Sequence, residues 1–249
     1  MRKSLAVLGA LALPLAFPAA ALAQSDSTTY VADLGELNGS GASGTATVTL
    51  SGDQLTVEIE ADGLVAGQPH AQHFHYPEGG SATCPDSSAD ENGNGLISTP
   101  EGVPFYGGIV ASLTTEGDAG PDSGLAVERF PTAPGGSESY SRTFTVPEGF
   151  DAAEDLGDTA VVVHGIDANG NGEYDFDAAG ESELDPNLPA EATHPALCGA
   201  LSPAADGGVA SGLGGTNGVQ DTALIFAGLG SLAAAGGVVA YSRRRGQQA

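Results

Sequence analysis

Short runs in which apolar and polar residues alternate are the feature that most constrains how this chain of 249 residues folds. A period of two is typical of strands that have one buried and one exposed face. Residues 46–50 and 54–60 show it on either side of Ser51-Gly52-Asp53, which predicts a hairpin. The other predicted strands are residues 71–76, 109–113, 125–130, 140–146 and 159–164. We therefore expect an all-β protein, a Greek-key β-sandwich or barrel of about eight short strands with long connections and no amphipathic helix.

The amino terminus has the pattern of a secretory signal peptide. Residues 1–23 begin with Arg2 and Lys3, continue with an apolar stretch, and end in the small-residue sequence Ala21-Leu22-Ala23. This order of a basic start, an apolar centre and a small-residue cleavage site is typical of exported proteins. We expect an exported chain, whose two cysteines, Cys84 and Cys198, meet an oxidising compartment in which they can pair.

The carboxyl terminus has the pattern of an anchor. Residues 222–241 contain no charged side chain and are long enough to span a bilayer, and the basic tail at residues 242–249 would remain in the cytoplasm. The upstream pentapeptide LGGTN at residues 213–217 resembles a sortase-type cell-wall sorting signal. We expect attachment at the cell surface through the membrane or the cell wall. Residues 24–38 and 203–221 are rich in small and polar residues and are predicted linkers, which leaves residues 39–202 as the β domain.

The charge of the chain excludes some classes of partner. It has 32 acidic and 7 basic residues, a formal net charge of −25. Five of the basic residues lie in the two terminal segments, so only Arg129 and Arg142 remain against all 32 acidic residues, a formal net charge of −30. Nucleic acid is excluded as a partner because its phosphates repel such a surface. The sequence carries no signal for an oligomeric state.

The histidines are the candidate metal ligands. Three of the five fall within His70-Ala71-Gln72-His73-Phe74-His75, and on a strand His73 and His75 share one face. Neutral imidazole is a good ligand for copper and zinc. The alternative for an isolated His-x-His pair is a structural pair, hydrogen-bonded or exposed. The others are His164, after a valine run, and His194, four residues before Cys198.

Four segments together resemble the copper/zinc superoxide dismutase family and follow its order along the chain. GLVAGQPHAQHFH at residues 63–75, followed by Cys84, resembles the metal-binding strand of that family and the first cysteine of its disulfide. GSGASGTATVTL at residues 39–50 is similar to its first hairpin, VVVHG at 161–165 to the strand with a later copper ligand, and ALCGAL at 196–201 to its closing segment. The resemblance covers roughly residues 33–202.

The resemblance implies a superoxide dismutase-like fold with copper bound by His73, His75 and His164. It implies a supporting role for His70, a disulfide between Cys84 and Cys198, and dismutation of superoxide to oxygen and hydrogen peroxide. A second resemblance, to chordin-type (CHRD) domains through the His-x-His strand, implies a non-catalytic surface module instead.

Two features depart from the family pattern. No histidine lies between Cys84 and His164, where the family has its copper–zinc bridging ligand and its zinc ligands, so a zinc site is not expected. Pro195 stands where the family has its active-site arginine. His70 and His194 are the candidates for a fourth copper ligand.

Two loops have the pattern of calcium-binding loops. The first fits the twelve-residue motif in full, with Ile97 at its apolar position and candidate ligands Asp90, Asn92, Asn94, Leu96 and Glu101. The second has Ala178 where the motif has its final glutamate, and its candidate ligands are Asp167, Asn169, Asn171, Glu173, Asp175 and, as the substitute, Asp177. The alternative is a pair of solvated turns rich in asparagine and glycine. Bound calcium would order these connections and stabilise the domain.

The charge argues against a fast dismutase. Superoxide is an anion, and fast association of an anion with an enzyme depends on a positive field. The two functional predictions are therefore a surface-anchored, copper-binding superoxide dismutase-like domain and a non-catalytic, calcium-stabilised CHRD-like module.

Overall fold

The computed structural model describes residues 27–205, and within this range most regular structure is β-strand. The strands are β1 (Ser27–Glu36), β2 (Ser43–Ser51), β3 (Gln54–Asp62), β4 (Gln72–Tyr76), β5 (Gly108–Ser112), β6 (Ser137–Thr145), β7 (Ala160–His164), β8 (Pro195–Ala200) and β9 (Ser202–Pro203). Three short α-helices lie between them, in addition to short 3-10 turns: α1 (Thr99–Tyr106), α2 (Ala152–Asp155) and α3 (Ala190–Thr193). The predicted signal segment, apolar anchor, basic tail and most of the second linker lie outside the described residues.

The strands form one curled antiparallel sheet in the order β5-β4-β7-β8-β1-β2-β3-β6, with β9 paired to β1. This arrangement confirms the all-β prediction. Part of the connection between β5 and β6 lies against β6. The carbonyl of Thr114, in this connection, accepts hydrogen bonds from Tyr140 Oη and Arg142 Nη1 of β6. Within residues 27–205, no helix is long and apolar enough to cross a membrane.

The predicted hairpin is confirmed as β2 and β3. Its register pairs Ser51 with Gln54, and Gly52 provides the positive φ of 60° that the two-residue turn needs. Along β3, Leu55, Val57 and Ile59 are fully buried while the alternate side chains face outwards. The sequence alternation therefore corresponds to a strand with one face in the core.

The strands β4 and β7 are instead buried on both faces. Phe74 of β4 packs in the main core with Val161 and Val163 of β7, whereas Ala160 and Val162 face a second apolar cluster with Tyr106 and Cys198. His73 and His75 lie on the same side as this second cluster, because they alternate with Phe74 along the strand. Helix α1 and the loops between β4 and β6 cover this side. The candidate ligands therefore lie between the sheet and its covering loops.

The predicted pairing of Cys84 with Cys198 is present in the structure, with a Cα–Cα distance of 5.7 Å. Cys198 is buried on β8, and Cys84 belongs to the connection between β4 and α1. The disulfide therefore fastens the covering connection to the sheet.

Three sequence predictions are corrected. The linker predicted at residues 24–38 is wrong over Ser27–Glu36, because these residues form β1, which lies between β2 and β8 in the sheet. Only Ala32 and Leu34 of this strand are buried, so the alternation of apolar and polar residues in its sequence is weak. The strand predicted at residues 125–130 is wrong, because Val127–Arg129 is a single 3-10 turn. Helix α1 was not expected, and its first turn is held by Glu101, whose Oε2 accepts a hydrogen bond from the Ser98 N–H at 2.8 Å.

Candidate metal centre

Strand pairing brings three of the predicted ligands together. His73 pairs with Val162 and His75 with Ala160, so His164 follows on the same face of β7, two residues beyond Val162. The imidazole centroids are 5.6 Å apart for His73 and His75, 5.2 Å for His73 and His164, and 6.0 Å for His75 and His164. One potential ligand atom from each residue lies within 4.8 Å of the other two. We call these three residues the histidine triad.

Each imidazole of the triad has one nitrogen fixed by a backbone carbonyl. His73 Nε2 donates to Gly124 O at 3.0 Å, His75 Nδ1 to Gly107 O at 2.9 Å, and His164 Nδ1 to Thr193 O at 2.6 Å. The remaining nitrogens are His73 Nδ1, His75 Nε2 and His164 Nε2, and all three are buried without a hydrogen-bond partner. A carbonyl accepts only from a nitrogen that carries a proton, so the proton of each neutral imidazole is on the nitrogen that faces the carbonyl. The other nitrogen of each ring keeps its lone pair, and the three lone pairs are available for one metal ion.

The triad is electrically neutral near pH 7. Burial lowers the pKa of His75 to about 3 and that of His164 to about 4. The pKa of His73 is also well below its ordinary value, chiefly because of burial and additionally because a charge there would be repelled by His164 and His75. Neutral imidazole is the form that binds a metal ion. No proton therefore has to leave before an ion enters.

The two candidates for a fourth ligand are not members of the metal-binding group found in the described residues. His70 Nδ1 lies 2.8 Å from the His164 carbonyl and Nε2 3.2 Å from the Val65 carbonyl, and the Tyr174 hydroxyl is within 3.3 Å of both nitrogens. A neutral imidazole donates to one of the two carbonyls, and the Tyr174 hydroxyl can donate to the other nitrogen. His70 thus supports the backbone of a triad residue. His194 is buried with Nδ1 unpartnered, and it directly follows Thr193, whose carbonyl accepts from His164.

A cavity of about 370 Å³ opens in front of the triad. His73 and His164 form part of its lining together with Thr99 and Thr193, and the other walls are mainly apolar. A ligand that enters this cavity therefore reaches two of the three imidazoles. Sequence patterns did not indicate the cavity, because its walls come from separate loops.

The two arginines of the described part do not line this cavity. Arg129 donates to the carbonyls of Glu116 and Asp118 and to Ser123 Oγ, and Arg142 donates to Thr114 and to the Gly117 carbonyl. Both guanidinium groups therefore order the loop between β5 and β6.

The first predicted calcium loop is folded around its first and last carboxylates. Asp90 Oδ1 accepts from Gly93 and Asn94, and Asp90 Oδ2 accepts from Gly95. Glu101, from the first turn of α1, accepts from the N–H groups of Glu91 and Asn92. These two carboxylates thus order the backbone of the loop. Calcium binding by this loop stays a prediction.

The second predicted loop has the same turn, and a residue outside the motif supports it. Asp167 accepts from Gly170, Asn171 and Gly172. Glu191 of α3 is fully buried, and its two oxygens accept from Ala168 and Asp175, both at 2.8 Å. The predicted substitute, Asp177, is exposed and donates its own N–H to Asp175. Glu191 lies beyond the span of the twelve-residue motif, so the pattern did not indicate it.

Comparison with known proteins adds no family to these observations. No protein-family model and no curated protein matches this chain.

Proposed function

We propose that this chain is an exported, surface-held protein whose β domain binds one copper ion through His73, His75 and His164. The observation that carries the proposal is the set of three buried imidazole nitrogens that lack hydrogen-bond partners and lie within reach of one ion. A buried polar atom without a partner costs about 1–3 kcal/mol. A metal ion would satisfy all three at once, which is the physical reason for their convergence.

Copper is favoured over other ions for two reasons. Sites with nitrogen ligands bind Cu(II) more tightly than the other divalent first-row metals. The segments around the triad also resemble the copper/zinc superoxide dismutase family, and the three histidines match its copper ligands. When bound, copper supplies one-electron redox chemistry. The protein holds the imidazoles neutral and oriented, and two of them, His73 and His164, line the cavity.

Superoxide dismutation is the reaction that the resemblance implies. The negative charge of the domain would make the association of superoxide with the triad slow. The described part contains only two basic side chains, and both donate hydrogen bonds within the loop between β5 and β6. Superoxide would approach a strongly acidic surface without a guiding cation. Copper binding is therefore the core of the proposed function, and dismutation is a separate activity to be measured.

Export and surface attachment are supported by the sequence patterns at the two ends. The disulfide between Cys84 and Cys198 agrees with an oxidising compartment. In this setting the two acidic loops would bind calcium and keep the long connections ordered.

The test is a competition between Cu(II) and Zn(II) for the full chain, followed by calorimetry and metal analysis. We expect one Cu(II) per chain that zinc in equal amount does not displace, and loss of this binding in His73→Ala/His75→Ala. His194→Ala is the matched control, since it removes a buried histidine outside the triad, and it should bind copper like the unaltered chain. Absence of stoichiometric copper, or equal binding by the double variant, would favour the non-catalytic CHRD-like module.

A further inference from the structure

The cavity in front of the histidine triad has walls that do not suit a small anion. Its apolar walls come from five side chains: Ala71, Ile109, Pro121, Leu125 and Leu184. Its volume of about 370 Å³ lies within the range that small-molecule sites occupy. Such a volume holds a molecule built on one ring, which is far larger than a diatomic molecule.

The rim of the cavity carries apolar side chains where solvent can reach them. Leu125 and Leu184 are each 42% exposed, and they are two of only four large apolar side chains that are exposed within residues 27–205. Exposed apolar surface at the edge of a concave site is typical of a ligand-binding position. Both leucines lie on loops, so neither contributes to the main core.

The charges of the cavity discriminate against ionic ligands. Asp122 is the one acidic residue of its lining, and no basic side chain lines it. An anion would lose its hydration in an apolar cavity without gaining a cationic partner, and it would meet the negative field of the whole domain. A cation would be repelled by a metal ion held at the triad. An uncharged molecule avoids both penalties.

We propose that this cavity binds a small uncharged molecule with one apolar ring, whose neutral polar group is directed towards His73 and His164. The ring packs between Leu125 and Leu184 at the rim and the half-buried Ile109 further in. The proposal rests on the proposed function and deepens it, because the cavity is lined by two of the three proposed copper ligands. The cavity itself is formed by the protein chain, so binding of the ring does not require the metal.

The test compares benzamide with benzoate, two probes of nearly equal size that differ in charge. Binding to the full chain is measured by calorimetry, with and without copper, at low salt. We expect benzamide to bind both forms, benzoate to bind at least tenfold more weakly, and Leu125→Asn/Leu184→Asn to weaken benzamide binding at least fivefold. Phe176→Asn is the matched control, because Phe176 is 48% exposed and does not line the cavity, and it should leave binding unchanged.

The outcomes separate this inference from the proposed function. Benzamide binding to a chain that takes up no copper would sustain the cavity and overturn the copper proposal. Copper binding without benzamide binding would do the reverse. Benzoate binding as tightly as benzamide, or binding that is insensitive to the two leucine substitutions, would also overturn the inference.

Discussion

His73 and His75 lie two residues apart on β4 and leave different ring nitrogens without a partner, Nδ1 in His73 and Nε2 in His75. The difference arises because the Gly124 carbonyl accepts from Nε2 of His73, whereas the Gly107 carbonyl accepts from Nδ1 of His75. Two loops that are distant in sequence thus decide which nitrogen of each imidazole is available. The metal-binding capacity of β4 depends on these loops as well as on the histidines.

Gly107→Ala should damage the site by moving one of these carbonyls. Gly107 has a φ of 90°, and a Cβ there would lie 2.1 Å from the Tyr76 backbone. We expect a loss of stability of about 1–3 kcal/mol and copper binding weaker by about 10–100-fold. Isothermal titration calorimetry below the melting temperature measures the copper affinity, and thermal unfolding of the copper-free chain measures the stability.

The neighbouring Gly108 provides the control for this substitution. A Cβ at Gly108 meets nothing within 4 Å, and its φ is not positive. Gly108→Ala should therefore retain copper affinity and stability. Equal behaviour of the two variants would show that the Gly107 carbonyl has no part in orienting His75.

Glu138 should make the protein less stable as the pH rises. Burial raises its pKa to about 8, and the Gln72 side chain opposes the rise. The folded state therefore keeps a proton that the unfolded state releases from about pH 4.5 upwards. The free energy of unfolding should fall between about pH 4.5 and 8, by an amount on the order of a few kcal/mol.

Glu138→Gln should remove this fall, since its amide does not ionise. We expect the melting temperature of the variant to exceed that of the unaltered chain by a margin that grows from pH 5 to pH 8. Glu58→Gln, at an exposed position of β3, should show no such growth. A constant margin for Glu138→Gln would mean that this carboxyl is charged in the folded protein.

Calcium should raise the melting temperature if the two acidic loops bind it. Asp90 and Asp167 each accept three backbone hydrogen bonds at the start of their loops. At a calcium concentration of 100 times Kd, one site would add about 2.7 kcal/mol to the free energy of unfolding. Melting of the full chain with calcium, and with a chelator, measures the effect.

Asp90→Asn/Asp167→Asn should lose the response to calcium, and Asp53→Asn, in the exposed turn between β2 and β3, should keep it. If a chelator leaves the melting temperature of the unaltered chain unchanged, the prediction that these loops bind calcium is wrong.

Superoxide removal by the copper-loaded chain should become faster as salt is added. The acidic surface repels the anion, and salt shortens the range of this repulsion to about 8 Å at 0.15 M and 3 Å at 1 M. Pulse radiolysis over this range of ionic strength measures the rate. A rate that falls with added salt would reveal a local positive field. A rate equal to that of chelated copper would exclude dismutation.

The predictable part of the fold is the part where alternation is strong. Val57 and Ile59 are buried between outward-facing polar residues, so β3 and its hairpin partner were predicted from sequence. The sequence of β1 was assigned to a linker, because Ala32 and Leu34 are its only buried residues. Its place in the sheet depends on pairing with β2, which is near in sequence, and with β8, which is more than 150 residues away.

Of the candidate metal centre, only the three histidine ligands could be predicted from the sequence. His73 and His75 were found from their spacing, and His164 from the resemblance of its strand. The carbonyl of Thr193 and the buried Glu191 were not predicted, since both act across the fold on residues that are 16 to 29 positions away. Leu125 and Leu184 come together only because their loops cover the same side of the sheet.

The most direct test of the account is electron paramagnetic resonance of the full chain with one equivalent of Cu(II). We predict a single copper species with nitrogen couplings from three imidazoles, and the loss of at least one coupling in His164→Ala. An unchanged spectrum in His164→Ala, or a signal of copper without bound imidazole, would contradict the assignment of His73, His75 and His164 as the metal centre.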